Sequence, residues 1–125
     1  MAAPNIVNVT SIYGKTAFDS NVATSASTTL GNAASSNKLL KINTIVAANI
    51  DGTNAADITV YVVQTSTSQV KFYLAKTISV PADSSLVITS KDTSFYLEEG
   101  LRIRANASAA GDISLMCSYE ELDDA

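Results

Sequence analysis

The chain of 125 residues has no histidine, no tryptophan, a single cysteine and only 16% charged residues. Without histidine, the usual proton carrier near neutral pH is missing, and neither a Ser-His-Asp nor a Cys-His nucleophile set can be built. Zinc centres draw on sets of His and Cys, so one cysteine without histidine excludes them within a single chain. The five glycines read as isolated turn residues and form no phosphate-cradling loop. Catalytic, cofactor-binding and metal-ligating residues are therefore expected to be none, and the chain is not expected to be an enzyme.

Other absences narrow the partners. Eight Lys and Arg stand against twelve Asp and Glu, a net charge of −4, and the basic residues are scattered. Nucleic-acid binders need clustered Lys and Arg for phosphate contacts, and acidic proteins do not adsorb to anionic membranes. No apolar stretch approaches the roughly 20 residues of a membrane span. The opening Met1-Ala2-Ala3-Pro4-Asn5 has neither the basic nor the apolar region of a signal peptide, so synthesis in a reducing cytoplasm is expected. Cys117 has no intrachain partner, and its place in the run Ile113, Leu115, Cys117, Tyr119 gives it the role of a small buried hydrophobe.

What the sequence does contain is short β-type runs separated by turn residues. Ile6, Val7, Val9, Ile12, Tyr13 and Phe18 make an opening segment rich in β-branched and aromatic residues. Residues 20–37 are mostly Ser, Thr, Ala and Asn, and read as a thin edge strand in preference to a low-complexity linker. Leu40, Ile42, Val46 and Ala48 alternate with Lys41 and Asn43, the signature of a half-buried strand. Residues 49–54 (NIDGTN) then supply turn chemistry, and beyond them Ile58, Val60 and Val62 face one way, with Thr59 and Tyr61 on the other side. Val70, Phe72, Leu74, Ile78 and Val80 follow, and Lys76, in the same phase, predicts a bulge or a strand end near Ala75. Leu101, Ile103 and Ala105 alternate with Arg102, Arg104 and Asn106. The strand 113–119 then leads into an acidic tail at 120–125.

About eight strands at this spacing, with connections too short for crossover helices, predict an all-β fold: an antiparallel β-sandwich in one domain spanning residues 1–125. A jelly roll is the first expectation and an immunoglobulin-like sandwich the second. Three groups invite functional readings. Asp51-Gly52-Thr53-Asn54 with Asp57 faintly suggests an oxygen-ligand calcium loop, but the twelve-residue spacing is absent and a turn is the simpler reading. Glu98 and Glu99 are adjacent, so on a strand they point to opposite faces and cannot flank one bond. Tyr13, Tyr61, Tyr73 and Tyr96 could make a sugar-stacking platform, although cross-strand packing is the commoner use of such residues.

Several blocks resemble small virion structural proteins of tailed cyanophages, chiefly the contractile-tailed marine kind. They are residues 4–10 (PNIVNVT) with Gly14-Lys15-Thr16, residues 40–43 (LKIN), residues 49–59 (NIDGTNAADIT), residues 78–88 (ISVPADSSLVI), Lys91-Asp92-Thr93, residues 96–100 (YLEEG) and residues 117–121 (CSYEE). The resemblance covers most of the chain and carries no catalytic residues. It implies a virion component: a capsid decoration (cement) protein on the outside of the head lattice, or a neck, baseplate or tail-fibre component. A carbohydrate- or receptor-binding module is the alternative from another class. The implied partners are the major capsid protein or other virion proteins. Further copies of the chain are implied too, a trimer being the natural closure at a local three-fold. Residues 1–18 serve either as a docking arm, through Ile6, Val7, Val9, Ile12, Tyr13 and Phe18, or as the first strand of the chain's own sheet.

Overall fold

The computed structural model describes residues 10–123. In chain order they form β1 (Ser11–Asp19), β2 (Ser27–Asn32), β3 (Lys38–Asn49), β4 (Ala56–Gln64), β5 (Val70–Val80), β6 (Ser85–Thr89), a 3-10 turn (Lys91–Thr93), β7 (Phe95–Leu97), β8 (Leu101–Ala107) and β9 (Ile113–Asp123). One sheet has the order β1-β9-β3-β6 with β7 also on β3, and the other the order β2-β8-β4-β5. Every pairing is antiparallel.

β6 pairs with β3 from Ile45 to Ala48, and β7 pairs with it from Leu40 to Ile42, in the same direction. They are two halves of one strand broken by the 3-10 turn, which is why nine strands appear where about eight were expected. With those halves joined, the first strand pairs with the last, the second with the next to last, the third with the broken one, and β4 with β5. The chain is thus one long hairpin, turning at residues 65–69 and wrapped on itself so that its strands pass between two sheets. That connectivity is a jelly roll and not the immunoglobulin arrangement.

The core lies between the sheets. Ile42, Ile45, Ile58, Val60, Leu97, Ile103, Ile113, Leu115 and Cys117 are buried there, with Val22 entering from the β1–β2 connection. Each fully buried aliphatic side chain contributes about 1.5–3 kcal/mol. Two buried asparagines fasten the ends. Asn32 Nδ2 donates to the Lys38 and Leu97 carbonyls, both at 2.9 Å. At the far end of β3, Asn49 Nδ2 donates to the carbonyls of Val80 at 2.9 Å and Asn54 at 3.0 Å.

The structure corrects several local expectations. Alternation along β3 does not hold past Asn43, because a bulge between Ile42 and Thr44 shifts the register against β9. Ile45 and Ala47 therefore enter the core, and Val46 and Ala48 turn to the outer face. In β5 a bulge is present: Ile58 faces Ile78 but Val60 faces Ala75, so Lys76 and Thr77 together stand opposite Thr59, one residue more than regular pairing allows. Two more register shifts follow, and Val70, Phe72 and Ile78 are exposed on this edge strand. Residues 20–37 supply the edge strand β2, limited to Ser27–Asn32. The acidic tail is not free through Asp123: β9 continues that far, and Glu121 is buried against Lys15 and Lys38 at 3.2 and 3.6 Å. Gly14 and Gly31 lie inside strands, not in turns.

Candidate interaction surface

The groups with chemical potential are used structurally. Asp51 Oδ1 accepts the Thr53 N–H at 2.8 Å, which holds this exposed carboxyl below its ordinary value, and Asp51 Oδ2 accepts from Asn54. The carboxylate closes its own turn, as the simpler reading of that loop predicts. Glu99 Oε2 accepts the Asn37 N–H at 2.6 Å across the loop ends. Burial pushes the Cys117 thiol up to about 12, so it is not a thiolate at neutral pH. Among the described residues, no cluster of three or more His, Cys, Asp or Glu could hold a metal ion.

The four tyrosines do not form one platform. Tyr61 and Tyr73 are opposite each other in the β4–β5 pairing, with ring centroids 5.4 Å apart, and the Lys76 ammonium lies 4.9 Å from the Tyr73 ring. Tyr13 and Tyr96 belong to the other sheet, on β1 and β7. Cross-strand packing accounts for the Tyr61–Tyr73 pair.

The surface that stands out is apolar, and the β3 bulge creates it. Register places Phe18 opposite Met116, Met116 opposite Val46, and Val46 opposite Val87. These four residues make a row across the outer face of the first sheet, spanning β1, β9, β3 and β6. Phe18 is 75% and Val87 58% exposed, whereas an antiparallel sheet facing water ordinarily carries polar residues there. A second apolar feature is a groove of about 510 Å³ at the opposite open side of the sandwich, lined by Phe72, Leu74, Ile88 and Phe95.

Of the residues named as docking candidates, Ile12, Tyr13 and Phe18 lie in β1, paired along its whole length with β9 of the same chain. All three side chains are nonetheless exposed. Ile6, Val7 and Val9 lie outside the described residues. The sequence reading missed Val46, Val87 and Met116, because strict alternation assigns Val46 to the core. It also took Asn49 for a turn residue, since a buried polar clamp leaves no local pattern.

No protein-family profile and no curated protein sequence matches the chain. Among solved structures, one from work on Bacillus endospore appendages, described as a novel family of disulfide-linked pili, is similar with a TM-score of 0.52 and 16% identity. That likeness covers 91% of this chain and 89% of the Bacillus one. A chain of infectious bursal disease virus, Gx strain, is similar with a TM-score of 0.40 and 11% identity, over 90% of this chain and 32% of the viral one. The first likeness is one of fold alone: the two-sheet sandwich derived above from strand pairing.

Proposed function

We propose that this protein is a non-enzymatic structural component of a phage virion, a capsid decoration (cement) protein that binds the outside of the head lattice. The observation that carries the reading is the apolar row Phe18, Met116, Val46 and Val87 on a sheet face that would otherwise be polar. Contiguous exposed apolar surface of this kind suits protein–protein contact. The net charge of −4 supports a position away from packaged DNA. The resemblance of the sequence blocks to cyanophage virion proteins supports the class of particle, with the major capsid protein or another virion protein as the partner.

Cryo-electron microscopy of the particle tests this directly. Copies arrayed on capsomer junctions through the β1-β9-β3-β6 face are the expected result. Density confined to the neck, baseplate or fibres, or absent from the particle, would overturn the decoration reading. Val87→Lys should leave the fold intact, because the side chain already faces solvent, and should reduce incorporation into particles.

A further inference from the structure

A jelly roll of two open sheets has four edges, and each must avoid unwanted pairing. Three carry protection. β2 has only 6 residues and a register shift between Thr28 and Leu30. β5 has three register shifts, Lys71 and Lys76 within it, and Thr77 at φ 53°. The β6–β7 edge is split by the 3-10 turn into pieces of 5 and 3 residues. β1 has none of these devices. It is 9 residues long, contains no proline, and keeps unbroken register with β9 from Ser11 to Asp19. Lys15 is its only basic residue, and that charge is already engaged by Glu121 at 3.2 Å.

We propose that β1 is a docking edge for β1 of a second copy of this chain, paired antiparallel about a two-fold axis at Lys15, so that the β1-β9-β3-β6 sheets of two molecules join into one. Antiparallel partners must share a face, so only every second register is available. The register centred on Lys15 overlaps all 9 residues of the strand. It also sets Ile12 of each copy opposite Phe18 of the other, covering two outer-face hydrophobes that are 57% and 75% exposed in the single chain. Shifting by two residues in either direction loses both contacts. Gly14 falls opposite Thr16 of the partner. Among the described residues nothing lies within 4 Å of where a Cβ at Gly14 would sit, and its φ is not positive, so neither crowding by them nor backbone geometry calls for glycine there. Glycine inside a strand often marks a close approach by another backbone.

The two lysines at the axis oppose each other, but each brings its own Glu121, so charges alternate there instead of accumulating. The pairing is isologous and closes at two copies. Head-to-tail pairing of β1 with any other edge would meet a bulged, short or interrupted strand, which disfavours filaments. An edge of this length buries on the order of 1,000 Å² over both copies, at the lower limit for specific pairs. A micromolar dimer is therefore expected, tightened by added salt because both copies carry the same net charge. The inference does not depend on the particle reading above, since it is tested on the purified chain.

Sedimentation equilibrium of the full chain over a micromolar concentration series should show a monomer–dimer equilibrium. Ile12→Lys and Phe18→Lys should each give a folded monomer at every concentration. Under mild oxidation Lys15→Cys should form a disulfide-linked dimer, while Tyr13→Cys, whose partner copy lies four residues out of register, should not. Should Lys15→Cys disturb the Glu121 pair, an equimolar mixture of Gly14→Cys and Thr16→Cys proteins should give the mixed dimer. The buried Cys117 thiol keeps the background low. A monomer throughout, a trimer, or a dimer indifferent to both lysine variants would overturn the proposal. So would a dimer that gives no Lys15→Cys link and vanishes on deletion of residues 1–9, which would assign the contact to that segment.

Discussion

Replacing Asn49 separates a residue that decorates a turn from one that closes the sandwich. Asn49 is 3% exposed and its side chain makes three hydrogen bonds. Nδ2 donates to the carbonyls of Val80 and Asn54, and Oδ1 accepts the Asp51 N–H at 2.9 Å. Val80 is itself wholly buried, so in Asn49→Ala water cannot replace the hydrogen bond that its carbonyl loses. An orphaned buried acceptor costs about 1–3 kcal/mol. The other two partners lie nearer solvent, where water replaces the lost bonds, and add roughly 0.5–1 kcal/mol each. The expected total is about 2–5 kcal/mol. Urea unfolding, read by circular dichroism at one fixed low protein concentration, measures it as a lower midpoint with an unchanged slope. For a slope of about 1–3 kcal/mol/M the midpoint should fall by about 0.7 M or more. Asn49→Asp should be worse near neutral pH, because a carboxylate would face two carbonyl oxygens. It should recover in acid: keeping the carboxyl neutral raises its folded pKa, and that stability is lost as pH rises. An Asn49→Ala loss within about 0.5 kcal/mol, the range of surface changes, would refute the clamp and restore the turn reading.

Three further predictions address the core, the thiol and the β5 bulge. Ile103 is fully buried and Leu101 only half-buried, so Ile103→Ala should cost about 2–5 kcal/mol and Leu101→Ala clearly less, with Arg102→Ala below about 1 kcal/mol. Equal urea midpoints for the three would mean that the β8 phase is wrong. Cys117 ionises at about 12 in the folded chain against an ordinary 9.0, so its contribution is intact below pH 9 and is lost as pH rises from 9 toward 12. The stability gap between wild type and Cys117→Ala should therefore move against wild type by up to about 1.4 kcal/mol per pH unit above 9, and a pH-independent gap would contradict it. Thr77 holds φ 53° despite its branched Cβ, so Thr77→Gly should raise stability by about 0.5–1 kcal/mol in thermal or urea unfolding. A loss would mean that the Thr77 side chain contributes more than its backbone conformation costs.

Much of this protein was determined by its sequence alone. Period-two runs with short turns leave no alternative to antiparallel sheets. The lack of histidine removes the usual bases and metal ligands wherever the chain folds. Lys76 in an apolar phase pointed to a bulge or a strand end, and the structure has the bulge, opposite Thr59 of the partner strand. The tertiary structure decided which side of each strand meets water. Val46 reads as core until the extra residue at Asn43 reverses the phase, and a bulge shows itself only against the partner strand, more than 70 residues away, that it fails to match. The same holds for Asn49, whose acceptor at Val80 lies 31 residues on, and for β1, whose exposed edge is a matter of sheet order. Alternation is local and is written in neighbouring residues. Register, edges and buried polar partners depend on segments distant in the chain, and folding alone brings those together.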